Sequence, residues 1–341
     1  MQLQKIPKVE LHNHLEGSIR LDTLKEIAIE LKVKALENAQ GIEPFKQFFC
    51  LDKPTDSLTT FLTKFGNIQA VLVNYDIVER IAFEVCEDAH LQGVVLLELR
   101  YSPHYISLGH SEMTLDGIHL AVMKGVEKAR SKYGIAVGLI GILDRNSTLE
   151  EAKRVSDFFC KYKRDFVAVD LANDEKYDAL QFKHVFENAK EHGLGVTIHA
   201  GEAGTSENVR EAIEVLGATR IGHGVMILQD DKVVELAKAK NILLEVCPIS
   251  NWYCGVVPAY QSHPIRKLLD RGLKVSINSD DAGIFQTSLL QDYEMLSKHF
   301  SVTEREFLEM NLNALEASFV DQQLKDQVYR QHFEPYLNQI N

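Results

Sequence analysis

Eight short runs of apolar, largely β-branched residues recur along the chain, and charged segments of helical length separate most of them. Continuous apolar runs are typical of strands that are buried on both faces of a sheet. The predicted strands are Val9–Leu11, Val94–Leu99, Ile135–Leu143, Phe166–Leu171, Gly195–His199, Arg220–Gly222, Ile242–Val246 and Leu273–Ile277. The predicted helices between them include Thr148–Tyr162, Gln181–His192, Asn208–Leu216, Asp230–Ala239 and His263–Arg271. Alternating strands and helices indicate parallel βαβ units.

Eight such units predict an α/β fold, a (β/α)8 TIM-type barrel with its active site at the carboxyl ends of the strands. A doubly wound open sheet is the alternative. Only the first connection is long, and it contains helical patterns at Leu21–Val33 and Asn74–Leu91. Because a long structureless loop is rare inside a compact domain, we predict that residues 15–92 form a helical cap over the barrel mouth. No linker divides the chain, so we expect one domain over residues 1–341.

Composition narrows the classes of partner. The 341 residues carry a net charge of −12 and no stripe of Lys and Arg with interleaved aromatic residues, so nucleic-acid binding is not expected. No signal peptide and no run long enough to span a bilayer is visible, so no membrane partner is expected. The five cysteines form no CxxC motif or disulfide framework, which favours the reducing cytoplasm. A small neutral or cationic ligand fits this composition.

Polar residues that can bind a metal follow several of the predicted strands. In His12-Asn13-His14 the two-residue period of a strand places both imidazoles on one side. His199, His223, Asp280 and Asp281 come directly after other strands. A buried histidine or aspartate needs a hydrogen-bond partner or a metal, and a barrel would bring all of these side chains to one mouth. Each alone is equally well explained as a structural residue; together they predict a metal site.

Three neutral imidazoles with one carboxylate suit zinc, with iron or cobalt as alternatives, whereas calcium and magnesium prefer oxygen ligands. A two-metal site usually needs a bridging group such as a modified lysine at the end of the fourth strand. The segment Val169–Asn173 contains no lysine, which favours one metal. Glu202 lies three residues beyond His199 and is placed to donate a proton, although an acid near a helix N-terminus is also a common capping residue.

Seven motifs, taken together and in order, resemble those of the adenosine and adenine deaminase family of metal-dependent hydrolases. They are Pro7–Gly17, Glu98–Pro103, Asp170–Ala172, His199–Glu202, Arg220–Gly224, Glu245–Pro248 and Ser276–Asp281. The resemblance, which is strongest to adenosine deaminase, covers nearly the whole chain. It implies a zinc-dependent hydrolase of the purine salvage route that converts adenosine and 2′-deoxyadenosine to inosine and ammonia.

The same resemblance implies a role for each site residue. One Zn²⁺ per chain would be held by a set of four residues: His12, His14, His199 and Asp280. Glu202 would protonate the purine at N1, His223 would orient or deprotonate the attacking water, and Asp281 would hold the resulting hydroxide and contact N7. The implied substrate-binding residues are His14, Glu16, Asn173 and Asp281.

Three positions depart from the pattern of the family. Glu16 stands where adenosine deaminases usually carry aspartate facing the ribose 5′-hydroxyl, and glutamate is commoner there in adenine deaminases. Adenine deaminase, or a deaminase of 5′- or N6-modified adenosines, is therefore the alternative activity. Asn173 replaces a common glycine, which asparagine can mimic in left-handed backbone, and Ala282 replaces a frequent proline with a local effect only.

Two further questions stay open at this point. Outside the enzymes, a metal-binding scaffold is the alternative, but a structural metal site needs neither Glu202 nor His223. The sequence does not indicate an oligomeric state.

In the predicted cap, Phe48, Phe49 and Phe61 are more readily explained as core than as ligand contacts.

Overall fold

The computed structural model describes residues 2–340, which contain one eight-stranded parallel sheet with the strands in chain order. The strands are β1 Lys8–His14, β2 Val94–Tyr101, β3 Ala136–Asp144, β4 Phe166–Ala172, β5 Gly195–Ala200, β6 Arg220–His223, β7 Leu243–Val246 and β8 Lys274–Ile277. All eight predicted strands are present. Sequential parallel neighbours with helices between them form the predicted (β/α)8 barrel, and the open doubly wound sheet is excluded because its strand order would reverse.

The barrel closes where β8 meets β1, just beyond the end of β8. The Asp280 backbone N–H donates to the His12 carbonyl at 3.1 Å, and the His14 N–H donates to the Asp280 carbonyl at 2.9 Å. Asp280 has a positive φ of 62°, which is uncommon for a residue other than glycine and costs about 1–3 kcal/mol. The two backbone hydrogen bonds that close the barrel fix three of the predicted metal ligands, His12, His14 and Asp280, relative to one another.

Within residues 2–340, seventeen α-helices surround the sheet. They are α1 Leu21–Glu30, α2 Glu43–Phe49, α3 Leu58–Gln69, α4 Tyr75–Leu91, α5 Pro103–Ser107, α6 Leu115–Tyr133, α7 Leu149–Lys161, α8 Lys183–Glu191, α9 Ser206–Glu214, α10 Asp231–Ala239, α11 Pro248–Tyr253, α12 Ile265–Asp270, α13 Ala282–Phe285, α14 Leu289–Phe300, α15 Glu304–Ala317, α16 Gln322–Val328 and α17 Glu334–Ile340. No helix within residues 2–340 is long and apolar enough to cross a membrane.

Helix boundaries differ from the predicted ones mainly at caps. The helix predicted to begin at Asn74 begins at Tyr75, because the Asn74 side chain accepts the Ile77 N–H at 2.9 Å and caps the helix. Thr148 likewise caps α7 and accepts the Glu151 N–H at 3.2 Å. A cap residue has non-helical backbone angles while its side chain binds a free N–H of the first turn.

The long segment between β1 and β2 contains helices of two kinds. The helix α4 packs along α6 and against β2, as an outer helix of the barrel does. The helices α1, α2 and α3 pack in sequence upon one another, and α3 supplies residues to the pocket at the mouth. The cap over residues 15–92 and the single domain over residues 1–341 stay predictions, and α3 is the part of this segment that bears on the site.

Candidate metal and active site

Four side-chain atoms face a common centre at the carboxyl ends of the strands. The Nε2 atom of His14 lies 3.3 Å from Nε2 of His12 and 3.3 Å from Nε2 of His199. The Oδ1 atom of Asp280 lies 3.2 Å from Nε2 of His12 and 3.3 Å from Nε2 of His14. Four ligands at the usual zinc distance of about 2.0–2.1 Å would be about 3.3–3.4 Å apart in a tetrahedron. The spacing therefore fits a metal ion.

Two buried carboxylates contact His12 and His199 at Nδ1, the ring nitrogen that faces away from the common centre. Oε2 of Glu245 lies 2.9 Å from Nδ1 of His12, and Oδ2 of Asp170 lies 3.0 Å from Nδ1 of His199. A carboxylate can only accept, so each Nδ1 carries the proton and each Nε2 presents a free lone pair toward the centre. This arrangement of carboxylate, histidine and metal is the usual support of a ligating imidazole.

Both carboxylates are held in the ionised form. Arg100 donates to Asp170 at 2.8 Å and to Glu245 at 2.7 Å, and Arg220 donates to Glu245 at 2.7 Å. Burial raises the pKa of Glu245, but Arg100 and Arg220 outweigh this effect and bring the pKa well below its usual range. For Asp170 the effect of burial is likewise outweighed, by His199 and Arg100, and the pKa is lowered. The ionised carboxylates thus hold His12 and His199 as the Nδ1–H tautomers, in which Nε2 is free to bind a metal.

His223 borders the same centre. Its ligating atom and those of His12, His199 and Asp280 lie within 4.8 Å of one another, and all four residues are buried. The Nε2 atom of His223 is 3.7 Å from Oε2 of Glu202 and 3.9 Å from Oδ2 of Asp280. Because these distances exceed those within the group of His12, His14, His199 and Asp280, we assign His223 to the edge of the site and not to the ligand set.

Glu202 is presented by the loop Gly201–Gly204, which winds around the carboxylate of Glu175. Oε1 of Glu175 accepts the N–H groups of Glu202 at 2.8 Å, of Ala203 at 3.0 Å and of Gly204 at 3.1 Å, and Oε2 accepts that of Gly201 at 2.7 Å. The four N–H groups form an anion-binding concavity. A Cβ atom on Gly204 would lie 2.5 Å from Oε2 of Glu175, so glycine is required there.

The Glu202 side chain itself is buried at the mouth. Burial, reinforced by the negative charges of Asp280 and Glu175, raises the pKa of Glu202 well above its usual range. A raised pKa favours the protonated form of the carboxyl group, which can then act as a general acid. Because its side chain is buried, Glu202 does not fit the alternative role of a solvated residue that caps the next helix.

Replacing Glu175 with alanine is expected to lower kcat by misplacing Glu202. The change would leave the N–H groups of the Gly201–Gly204 loop without their acceptor, which would also lower the free energy of unfolding by about 3 kcal/mol. Steady-state kinetics and denaturant unfolding measure the two effects. An unchanged kcat would show that the loop holds Glu202 in place without Glu175.

Asp281 faces the pocket with an oxygen that has no partner. Within residues 2–340, Oδ1 of Asp281 is buried and makes no hydrogen bond. A Cβ atom on Gly17 would lie 1.6 Å from this same oxygen, so only glycine lets the two segments approach. A buried polar atom without a partner is costly. Burial and the charge of Asp280 raise the pKa of Asp281 well above its usual range, so the carboxyl group can donate a hydrogen bond to a ring nitrogen of a ligand.

Glu16 and Asn173 also line the pocket. Oε1 of Glu16 accepts the backbone N–H of Ser102 at 2.8 Å, and burial raises the pKa of Glu16 to about 7. Asn173 has a φ of 90°, and its Nδ2 donates to Oδ1 of Asp144 at 2.9 Å. Asparagine therefore does adopt the left-handed backbone that the common glycine would favour.

The pocket has a volume of about 220 Å³, and every predicted site residue except His12 lines it. Leu58 and Phe61 of α3 line it together with Leu62 and Phe65, and Phe61 is also buried within the hydrophobic core. Phe49 is buried in the core as expected. No Lys or Arg is among the described residues that line the pocket, whereas five acids are: Glu16, Asp144, Glu202, Asp280 and Asp281. The occupant is therefore a small molecule, and an anionic one is disfavoured.

Several residues that hold the site residues in place were not among those predicted from the sequence. Asp170 and Glu245 gave a usable signal, since each is an acid within an otherwise apolar strand. Glu175 and Ser250 gave none, because both lie in irregular or short elements with no periodic pattern. Oγ of Ser250 donates to Oδ2 of Asp280 at 2.7 Å, which orients the carboxylate so that Oδ1 faces the imidazoles.

A closed parallel barrel that gathers three imidazoles and a carboxylate beside a buried acid defines a metal-dependent hydrolase. Residues 7–332 match the family model described as "Adenosine deaminase". The chain is 36% identical over 335 residues to an adenosine deaminase of Plasmodium falciparum, an alignment that covers 97% of this chain and 90% of that protein. The chain belongs to the adenosine deaminase family, and it is an enzyme that deaminates adenosine rather than a metal-binding scaffold.

Solved structures extend the comparison to the alternative activities. An adenine deaminase from Arthrobacter aurescens has a TM-score of 0.88 and 25% identity, covering 96% of this chain and 98% of that one. An N6-mAMP deaminase from Arabidopsis has a TM-score of 0.85 and 27% identity, covering 97% and 99%. The family match and these structural neighbours confirm the predicted family and the predicted barrel fold. The family is metal-dependent, and the buried group of His and Asp residues fits a metal site.

Proposed function

We propose that this enzyme acts on free adenosine and 2′-deoxyadenosine in preference to adenine or to any nucleotide, as a step of purine salvage. The observation that carries the proposal is the position of a buried Glu202, whose pKa is raised, beside a metal-sized group of imidazoles in a pocket that has no Lys or Arg among its described lining residues. Membership of the adenosine deaminase family supports the reaction, and the charge of the pocket supports the preference.

We propose one Zn²⁺ per chain, held by His12, His14, His199 and Asp280. Nitrogen-rich ligand sets with one carboxylate favour zinc over calcium or magnesium. The ionised carboxylates behind His12 and His199 support these two as neutral ligands. A bound zinc supplies Lewis-acid chemistry that makes water nucleophilic near neutral pH.

The remaining residues move protons and orient the reactants in this proposal. Glu202 donates its proton to N1 of the purine, which makes C6 electrophilic. His223 faces the attacking water. Asp281 contacts the water, and its carboxyl group, whose pKa is raised by burial and by the charge of Asp280, donates a hydrogen bond to the purine N7. A bond forms between C6 and the water oxygen, and the bond from C6 to the amino nitrogen breaks. Water supplies two protons: one leaves on ammonia, and one restores the proton that Glu202 gave to N1.

Nucleotides are expected to be much poorer substrates than nucleosides. A 5′-phosphate would find no Lys or Arg to bind it among the described lining residues, and those acids of the pocket that are ionised would repel it. Like-charge contacts in a buried site cost several kcal/mol, so kcat/KM for AMP should be at least about 100-fold below that for adenosine. Ammonia release from adenosine, 2′-deoxyadenosine, adenine and AMP measures this preference.

N6-methyladenosine and N6-methyl-AMP complete this comparison, because they separate the effect of the methyl group from that of the phosphate. These two substrates release methylamine instead of ammonia, so their turnover is measured as formation of inosine or IMP. Rapid turnover of either nucleotide would contradict the proposed preference. Turnover of adenine alone would move the enzyme to the adenine branch and make Glu16 the decisive residue. A catalytically inactive control, Glu202→Gln, identifies any ammonia that a contaminating deaminase releases.

We also propose a cytoplasmic location. All five cysteines are unpaired and buried in the described chain. Unpaired buried cysteines are usual in a reducing compartment and unusual in small secreted proteins. Fractionation of the native source with an antibody to this chain would test the location.

A further inference from the structure

A chain of hydrogen bonds runs from His223 to a backbone N–H on the side away from the pocket. Nδ1 of His223 lies 3.1 Å from Nδ2 of Asn251, and Oδ1 of Asn251 lies 3.1 Å from Nε2 of His263. Nδ1 of His263 then accepts the N–H of Ile265, the first residue of α12, at 3.1 Å. All four residues are buried, so water does not compete for these groups.

The direction of every bond in this chain follows from its last member. A backbone N–H can only donate, so Nδ1 of His263 carries a lone pair and its single proton is on Nε2. That N–H donates to Oδ1 of Asn251, which leaves the Asn251 amide N–H to donate to Nδ1 of His223. The reverse orientation of the Asn251 amide would place two donors against each other. Burial lowers the pKa of His263 to about 3, which agrees with a neutral ring.

The same logic places the proton of neutral His223 on Nε2, the nitrogen that faces Glu202 and Asp280. An Nε2–H group can donate a hydrogen bond into the pocket but has no lone pair with which to take a proton. His223 also has a positive φ of 60°, so its ring is held by a strained backbone on one side and by Asn251 on the other. Strain of this kind persists only where the surroundings fix it.

We infer that His263 and Asn251 are positioning residues that hold His223 as the Nε2–H tautomer, so that His223 donates a hydrogen bond to the attacking oxygen and does not act as its base. This inference deepens the proposed function and rests on it for the identity of the attacking oxygen. The proton that the water gives up passes to a carboxylate that lines the pocket and leaves with the amino group. The donated bond stabilises charge that develops on the oxygen.

The tautomer itself can be measured without substrate. In ¹⁵N-histidine-labelled, zinc-loaded enzyme, a long-range ¹H–¹⁵N correlation spectrum distinguishes Nε2–H from Nδ1–H rings, and the His223→Gln variant assigns the signal of His223. An Nε2–H pattern for His223 is expected. An Nδ1–H or doubly protonated pattern in the native enzyme would overturn the inference, whatever the substrate panel shows.

The variant Asn251→Asp reverses the direction of the hydrogen bond to His223. The amide of Asn251 donates to Nδ1 of His223, whereas a carboxylate at this position would accept from an Nδ1–H group. We expect the signal of His223 to change to a ring protonated at Nδ1, with kcat lowered about 100-fold and KM changed less than threefold. The exposed Asn338→Asp is the matched control and should change neither. A native-like His223 signal and kcat in Asn251→Asp would refute the role of Asn251.

The variant His263→Phe keeps an aromatic ring and removes the donor to Asn251. The His223 signal should then show a mixture of tautomers, and kcat should fall less than in Asn251→Asp, because the amide can rotate but its charge is unchanged. If this variant does not fold, the native spectrum and Asn251→Asp still decide the inference. A single Nε2–H tautomer in folded His263→Phe would show that His263 does not position Asn251.

Discussion

Glu202→Gln is expected to lower kcat for adenosine by about 10²–10⁴-fold, the usual contribution of a general acid, while the protein stays folded and keeps its metal. Glutamine preserves the size of the side chain and can donate a hydrogen bond, but it has no proton to transfer to the purine. The surrounding loop is held by the carboxylate of Glu175 through backbone groups, so the change removes the acid without removing the support.

The matched control is Glu207→Gln, which makes the same chemical change at a glutamate whose side chain is 57% exposed and pairs with Arg210. It should leave kcat within a factor of two, because exposed ion pairs contribute little. Stopped ammonia assays give kcat and KM for both variants, and thermal unfolding and metal content confirm that they are intact. Full activity in Glu202→Gln would exclude Glu202 as the acid.

The pH dependence of kcat provides a second test of Glu202. Burial and the charges of Asp280 and Glu175 raise the pKa of this group, and the reaction needs its protonated form. Activity that depends on Glu202 is therefore present below its raised pKa and is lost as the pH increases through that value. The native enzyme should show this basic limb well above the ordinary titration range of a carboxyl group, and Glu202→Gln should lack it.

The fold could be predicted from sequence because its signal is repeated along the chain. Most strands contain a short apolar run, such as Ile135–Leu143, and buried parallel strands favour this pattern regardless of the details of packing. Residues whose geometry depends on backbone strain or capping were predicted less well. Asn74 is of a residue type favoured at N-caps, but the apolar pattern alone included it in the predicted helix; its extended backbone and the hydrogen bond from Ile77 show that it caps the helix.

The ligand set could be predicted in part because β1 carries two histidines at the spacing of a strand. The position of Asp280 could not be derived in the same way, since it lies beyond the end of β8 and bridges to Asn13 in left-handed backbone. The network behind the ligands was not assigned, although Asp170 and Glu245 are visible acids in apolar strands. Their pairing with Arg100 joins strands that are far apart in sequence, and one sequence alone carries no signal of such contacts.

The support given by Glu175 and by His263 was invisible to sequence reasoning for a different reason. Both residues act through backbone N–H groups, those of the Gly201–Gly204 loop and of Ile265. A backbone group is present at every position except proline, so its use as a donor leaves no trace in residue type. The sequence therefore carries a signal for the residues that line the pocket, and none for the backbone contacts that hold them in place.

Removal of the metal is expected to have the largest effect of all, with activity falling to background after dialysis against a zinc chelator and returning on addition of about one equivalent of Zn²⁺. Without a metal, His12, His14 and His199 present lone pairs to one another at about the distances of a ligand shell, which is unfavourable in a buried site. At a hundredfold excess of metal over its Kd, binding stabilises the folded state by about 2.7 kcal/mol. The melting temperature should fall and recover together with the activity.

The variant His199→Ala separates a catalytic metal at the proposed position from zinc bound elsewhere. It should lose both the bound metal, measured by mass spectrometry, and the activity, because it removes the imidazole that Asp170 holds in the ligating tautomer. The control His184→Ala removes a histidine whose side chain is 82% exposed and should keep one zinc per chain and full activity. Retention of zinc by His199→Ala at the native stoichiometry would refute the proposed ligand set. Full activity in chelated native enzyme that contains no metal would refute the dependence on metal itself.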